Sequence, residues 1–384
     1  MNKKHIVGIV LTTTLSLFLT ACGGGSDSDN NETAKPLTPV TPTQPTATID
    51  EEFGKWLVDL GNNHILPSYQ LLVERSVAMK QMSSDFCENS TKDSSGLSQV
   101  QQSWRDLNQS WQVIQWVKVG PIIDDNRIFR MHYWPDTNNT VVSGIDKLLA
   151  QNEAITEGLV AKQSVGTQGI PALESLLFST QSSTSLLTAV DRVKRCDALM
   201  AISANVATIS HEVQDGWRAA DGDFIAQLTE GTGEFTSKKD SVEELVTNWL
   251  EQIERVKDEK MLKPLSGTHD EEQSISGESI ASIKTNIATF KTIYTAGDGH
   301  GFDNILTDHL DQLGIATEMQ LAIESAIESA NALADDYEAQ LNDDAGRINI
   351  NKTISDLRLV RDILTADFVQ VTDINIGFNS NDGD

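Results

Sequence analysis

A single glutamate stands inside an apolar run in Gly169-Ile170-Pro171-Ala172-Leu173-Glu174-Ser175-Leu176-Leu177-Phe178. On a helix, its neighbours at minus four, minus three, plus three and plus four are Ile170, Pro171, Leu177 and Phe178. A carboxylate carried on such a face leaves water, and it must be paired or take up a proton. The partner is an arginine, a backbone amide, a metal or a ligand. Pairing with Arg127 or Arg130 would make Glu174 a tie between a loop and its helix. Pairing with something from outside would make it part of a binding site, and the two roles can share one place. Gly169 suits a loop end in a conformation closed to other residues, and Pro171 suits the first helical turn.

Other groups are weaker. His211 and Asp215, four apart in SHEVQDGW with Glu212 beside them, share a helical face. With Glu174 they are the candidate metal ligands, but two side chains do not complete a zinc site, and a solvated helix end accounts for them equally. The stretch RIFRMHYWPD gathers Arg127, Arg130, His132, Tyr133, Trp134 and Asp136 in an irregular connection. It reads either as a recognition surface or as a loop pinned by its aromatics. GDGHGFDN surrounds His300 with glycines but has neither the lysine nor the strand of a phosphate loop, so a helix-to-helix turn competes with a site role. Ser276 and Ser279, in SGES, suit helix capping. Trp104, Trp111 and Lys118 fall at seven-residue spacing on one face, where the tryptophans belong to a core. The candidate ligand-binding set is therefore Glu174, Arg127, Arg130, Trp134 and His300.

The elements that must position these groups are helices. Met319, Ile323, Ala326, Ile327, Ala330, Leu333, Ala334, Tyr337 and Leu341 trace one helical face. Similar stripes cover 51–85, 97–119, 184–219, 239–261, 277–296 and 350–370, whereas alternating strand patterns are scarce. The expected fold is all-α, with two helical-bundle domains of related four-helix type at 51–225 and 236–384. The glycine-rich stretch 221–240 lies between them.

The N-terminus addresses the compartment. MNKK followed by a short apolar segment reads as an export signal over 1–21, and Leu19-Thr20-Ala21-Cys22 resembles a bacterial lipobox with Cys22 as the lipidated residue. Residues 22–50, rich in Gly and Ser and then in Pro, read as a disordered tether. The expected location is the bacterial envelope, on the outer membrane facing the periplasm in a Gram-negative host, with the membrane reached through the lipid. The formal charge is −27, which argues against nucleic acid or an anionic membrane surface as partner. Cys87 and Cys196 remain. In an exported chain they point to a disulfide closing about a hundred residues, with two buried thiols as the alternative. The acid-rich stretches LADDYEAQLNDDAG and NSNDGD lack the spacing of a calcium loop.

Five segments, in order, resemble the imelysin-like family of exported bacterial proteins: SWRDLNQSWQVIQWVKVGPI, RMHYWPD, GIPALESLLF, the stretch from Leu262 to Leu306, and the tail IGFNSNDGD. The resemblance implies two related helical bundles with a site where they meet, and an association with peptidase activity or with iron uptake. The family's GxHxxE motif maps onto Gly169, Pro171 and Glu174, so proline stands at the histidine position. Proline can neither ligate a metal nor move a proton. The resemblance then favours a lipid-anchored, non-catalytic binding protein holding a small ligand, a metal ion, an iron complex or an envelope protein. A metallopeptidase and a scaffold without a pocket are the alternatives.

Overall fold

The computed structural model describes residues 47–178, 181, 184–218 and 223–377. Cys22, the expected export signal and most of the expected tether, together with the end of the tail, lie outside these residues. Helices make up the regular structure, and no strand occurs among the described residues. The principal helices are α1 (Ile49–Leu60), α2 (Leu66–Glu88), α3 (Ser94–Ile114), α4 (Thr140–Ala150), α5 (Ile170–Leu177), α6 (Arg192–Trp217), α7 (Phe224–Glu230), α8 (Lys238–Glu254), α9 (Ser279–Tyr294), α10 (Leu313–Asn331) and α11 (Asp344–Ile363). No described helix is long and apolar enough to cross a membrane.

Local chemistry sets several of the ends. Thr48 and Glu51 form a reciprocal cap at the start of α1. Asp93, Ser237 and Asp343 cap α3, α8 and α11 by accepting from backbone N–H groups. Three of the long stripes contain a wider π-helical turn: Gly61–Ile65 joins α1 to α2, Arg255–Leu262 extends α8, and Leu364–Phe368 extends α11. The stripe from Met319 to Leu341 is not one helix. It stops at Asn331 and resumes at Tyr337–Leu341, where the Asp336 carboxylate accepts from Ala339 N at 2.9 Å. Leu333 and Tyr337 nonetheless stay buried, so burial persists across the break.

The packing follows the apolar faces. α2 lies against α3 and α6, α9 against α3 and α10, and α10 against α11. The contact of α3 with α9 links the two halves of the chain, and buried apolar side chains from Phe53 to Ile374 form one continuous core. α1 belongs to this core through the second half. Trp56 meets Phe302 at 4.3 Å between ring centres and donates from Nε1 to Ile293 O at 3.2 Å, while Phe302 meets Phe368 at 4.8 Å. The stretch after Asp221 is more regular than its glycines suggest: α7 forms there, and Phe224 packs edge-on against Trp217 at 5.0 Å. Cys87 and Cys196 form a disulfide with 5.4 Å between their Cα atoms, tying the end of α2 to the start of α6.

Candidate ligand-binding cleft

α5, which carries Glu174, is fixed at both ends by side chains from elsewhere. Trp104, fully buried on α3, donates from Nε1 to Ile170 O at 3.0 Å, and Gln101 donates to Leu177 O at 2.8 Å. Just before the helix, Asn205 donates to Gln168 O at 3.1 Å. Gly169 is extended (φ −118°, ψ −161°), so no unusual backbone shape demands glycine there. Close approach demands it instead: a β-carbon would run into the carbonyl oxygens of Met131 and Arg130.

Glu174 is 6 % exposed. Its partner is neither Arg127 nor Arg130 but Ser276, which donates to Oε1 from both its backbone N (3.0 Å) and its hydroxyl (2.7 Å). Burial pushes the carboxyl up to about 7 against the lowering effect of those two bonds, and the nearby Glu272 and Glu278 add to the rise. Near neutral pH, Glu174 is thus divided between an acid and a carboxylate. It can donate or accept a proton at the wall of a cleft of about 610 Å³ that it helps to line.

The cleft is open on one side. The first half of the chain supplies Tyr133, Trp134, Asp136 and Pro171, and the second half supplies Pro264, His269, Glu271, Gln273 and Leu341. Behind Trp134 lies a buried polar network. Lys260 Nζ sits 2.6 Å from Glu272 Oε2, and it donates to Gln112 Oε1 at 2.8 Å and to Asn286 Oδ1 at 2.7 Å. Burial pulls Lys260 down and Glu272 opposes this. For Glu272, the burial penalty is outweighed by Lys260, so its carboxyl lies below the usual range. Among the described residues no well-aligned hydrogen bond reaches either Glu272 oxygen, so charge more than direction holds this pair. His132, 3.4 Å from Glu272, is held down to about 4 by burial and is neutral at pH 7. The sequence stripe Trp249, Ile253, Val256, Lys260 placed a cation on an apolar face, the same signal that marked Glu174. Nothing in THDEEQSIS distinguishes Glu272 from its acidic neighbours.

Of the candidate set, Glu174 and Trp134 meet at the cleft, and the other three do not line it. Arg127 pairs with Glu212 at 3.0 Å and donates to Pro121 O. Arg130 donates to Gln168 Oε1 at 2.9 Å and so steadies the approach to α5. His300 lies 2.6 Å from Glu52 Oε2, and its backbone N donates to Asp59, clasping the glycine-rich turn to α1. Ser276, read as a cap, is instead the carboxylate's donor, and Ser279 donates to Glu272 O. Trp104 and Trp111 are core residues, and Lys118 pairs with Glu251.

The described residues do not assemble a metal centre. His211 and Asp215 are both exposed on α6, away from the cleft lining. Pro171 offers no donor side chain, and Glu174 turns Oε1 to Ser276. No group of three or more His, Cys, Asp or Glu side chains among the described residues could hold a metal ion.

Fold and site together define an all-α helical-bundle protein with an acid-lined cleft between elements of its two halves. The chain belongs to the imelysin family: the family model for Imelysin, Peptidase M75, matches residues 65–364. The fold is similar to that of an imelysin-like protein from Psychrobacter arcticum (TM-score 0.73, 19% identity, covering 88% of this chain and 100% of that one). It is also similar to a protein of Parabacteroides distasonis described as an iron-regulated protein A precursor (TM-score 0.66, 15% identity, 85% of this chain and 97% of that one). No curated protein matches the chain.

Proposed function

We propose that this imelysin-family protein is a lipid-anchored envelope protein that binds a small ligand or metal complex in the cleft and does not cleave peptides. One observation carries the reading: a buried carboxylate, held by Ser276 and kept near its titration midpoint at neutral pH, faces an open cleft of about 610 Å³. Proteins do not retain such a group cheaply, and a ligand that completes its pairing explains its presence. The imidazole that would accompany it in a GxHxxE pair is replaced by Pro171, which argues against metal-assisted hydrolysis. The fold neighbour described as iron-regulated supports a role in iron acquisition, and the lipobox at Cys22 supports the anchor.

The test is native mass spectrometry with elemental analysis on protein taken from its own host envelope, beside the Glu174→Gln variant. A bound molecule retained by the parent and lost from the variant is expected. An empty cleft, or zinc-dependent turnover of unfolded substrates abolished by Glu174→Gln, overturns the reading. Labelled palmitate should enter the parent and not Cys22→Ala.

A further inference from the structure

We propose that the cleft takes an organic cation, a primary ammonium or guanidinium group on an apolar stem. This rests on the reading of the cleft as a binding site. Among the described residues its lining carries four carboxylates, Asp136, Glu174, Asp270 and Glu271, and no lysine or arginine; its histidine, His269, lies 3.2 Å from Glu259. Acidity alone would mean little on a chain of charge −27. The independent sign is Gln273, which lines the cleft, is 5 % exposed, and leaves Oε1 without a hydrogen-bond partner. The amide cannot be turned to hide this. Its Nε2 donates to Asn108 Oδ1 at 3.2 Å; the same oxygen accepts from Gln112 Nε2 at 3.3 Å, and Gln112 is fixed because its own oxygen accepts from the Lys260 ammonium. An unpaired, buried acceptor lies at the wall with the buried Glu174 carboxyl, the half-buried Asp136 and Glu271 and the exposed Asp270, a setting that favours a donor carrying positive charge.

The acids contribute differently. Asp136 spends both oxygens on Thr140 N and Val141 N, each at 2.8 Å, so it supplies field and not a direct bond. Among the described residues, the hydrogen bonds to Glu174 fall on Oε1, which leaves Oε2 for a ligand. Burial raises the Glu271 carboxyl against a backbone hydrogen bond that lowers it, and repulsion from Asp270, Glu338 and Asp336 adds to the rise. Two cations stand beside Trp134: Lys260, 6.0 Å from the ring centre and offset by Glu272, and Arg255, which donates from Nη1 to Trp134 O at 3.4 Å; neither lines the cleft. A bare metal ion is the poorer occupant, because the acids do not converge and the volume far exceeds an ion. Trp134, Pro171, Pro264 and Leu341 instead give an apolar stem something to lie against.

The probe is agmatine, with a guanidinium at one end of a butyl stem and an amine at the other. It is titrated calorimetrically into the full mature chain at pH 7.5 and low salt, beside neutral N-butylurea, the adipate dianion and zinc. Agmatine is expected to bind one to one, at least tenfold more tightly than butylurea. Glu271→Gln, on a half-exposed residue, is expected to weaken agmatine at least threefold while leaving the circular dichroism unchanged. Equal binding of agmatine and butylurea, preference for adipate, or stoichiometric zinc that agmatine does not displace overturns the cation. A neutral or anionic molecule carried from the envelope also overturns it while leaving the cleft a binding site. An empty cleft removes the parent reading instead.

Discussion

Glu174→Gln should make this protein more stable at pH 8 and leave it nearly unchanged at pH 4. In the unfolded chain the carboxyl has its ordinary value of 4.5, and in the folded chain it lies at about 7. Folding therefore takes up a proton between these values. Stability from this group is fully present below 4.5 and is lost as pH rises towards 7, after which the loss is constant. The gap corresponds to about 3 kcal/mol at pH 8. Glutamine keeps an acceptor for Ser276 and does not titrate, so the variant escapes that loss; the strength of the Ser276 bonds to the carboxylate is already contained in the folded value. The expected net gain is about 3 kcal/mol at pH 8. Urea unfolding followed by tryptophan fluorescence, with the disulfide intact, measures the difference between parent and variant across pH, and the many other carboxylates cancel in the comparison. A variant equal to or weaker than the parent at pH 8 would refute the argument that burial strains Glu174. The proposal that a ligand relieves the strain would then lose its footing.

Three further outcomes are expected. Replacing Cys87 and Cys196 by serine opens a loop with a sequence separation of 109 and should cost on the order of 4–5 kcal/mol in urea unfolding of the oxidised parent against the variant. Lys260→Met strands the buried Glu272 carboxylate and should cost about 3–5 kcal/mol, whereas adding Glu272→Gln should restore part of that loss, as a double-mutant cycle by urea unfolding will register. Gly169→Ala should lower stability by about 1–3 kcal/mol because its methyl group meets the Arg130 and Met131 carbonyls, and the thermal midpoint should fall with it.

The all-α fold was legible because long amphipathic stripes bury one face, and the stripes at 239–261 and 277–296 fall close to observed helices. The disulfide was legible because reading Cys22 as the lipidated residue of an exported chain leaves two cysteines to pair. The burial of Glu174 was legible for the same local reason, since its helical neighbours are apolar. Its partner was not, because Ser276 lies 102 residues away and nothing in either segment encodes which loop closes on which helix. Arginines nearer in sequence looked better placed, yet Arg127 and Arg130 are taken by Glu212 and Gln168. Gly169 was rightly singled out, but close packing and not backbone shape explains it. The open acceptor of Gln273 depends on which amide meets Asn108, a three-dimensional fact with no local trace.

The lodging of α1 among second-half residues has a practical consequence for dissecting the molecule. Cutting the gene between residues 218 and 238 would give an amino-terminal fragment with a bare indole at Trp56. The carboxy-terminal fragment would have a socket at Phe302 and Phe368 with nothing to fill it. Both would be expected to clump. A workable bisection would transfer residues 47–65 to the later fragment, so that each piece carries the side chains its own interior was shaped around.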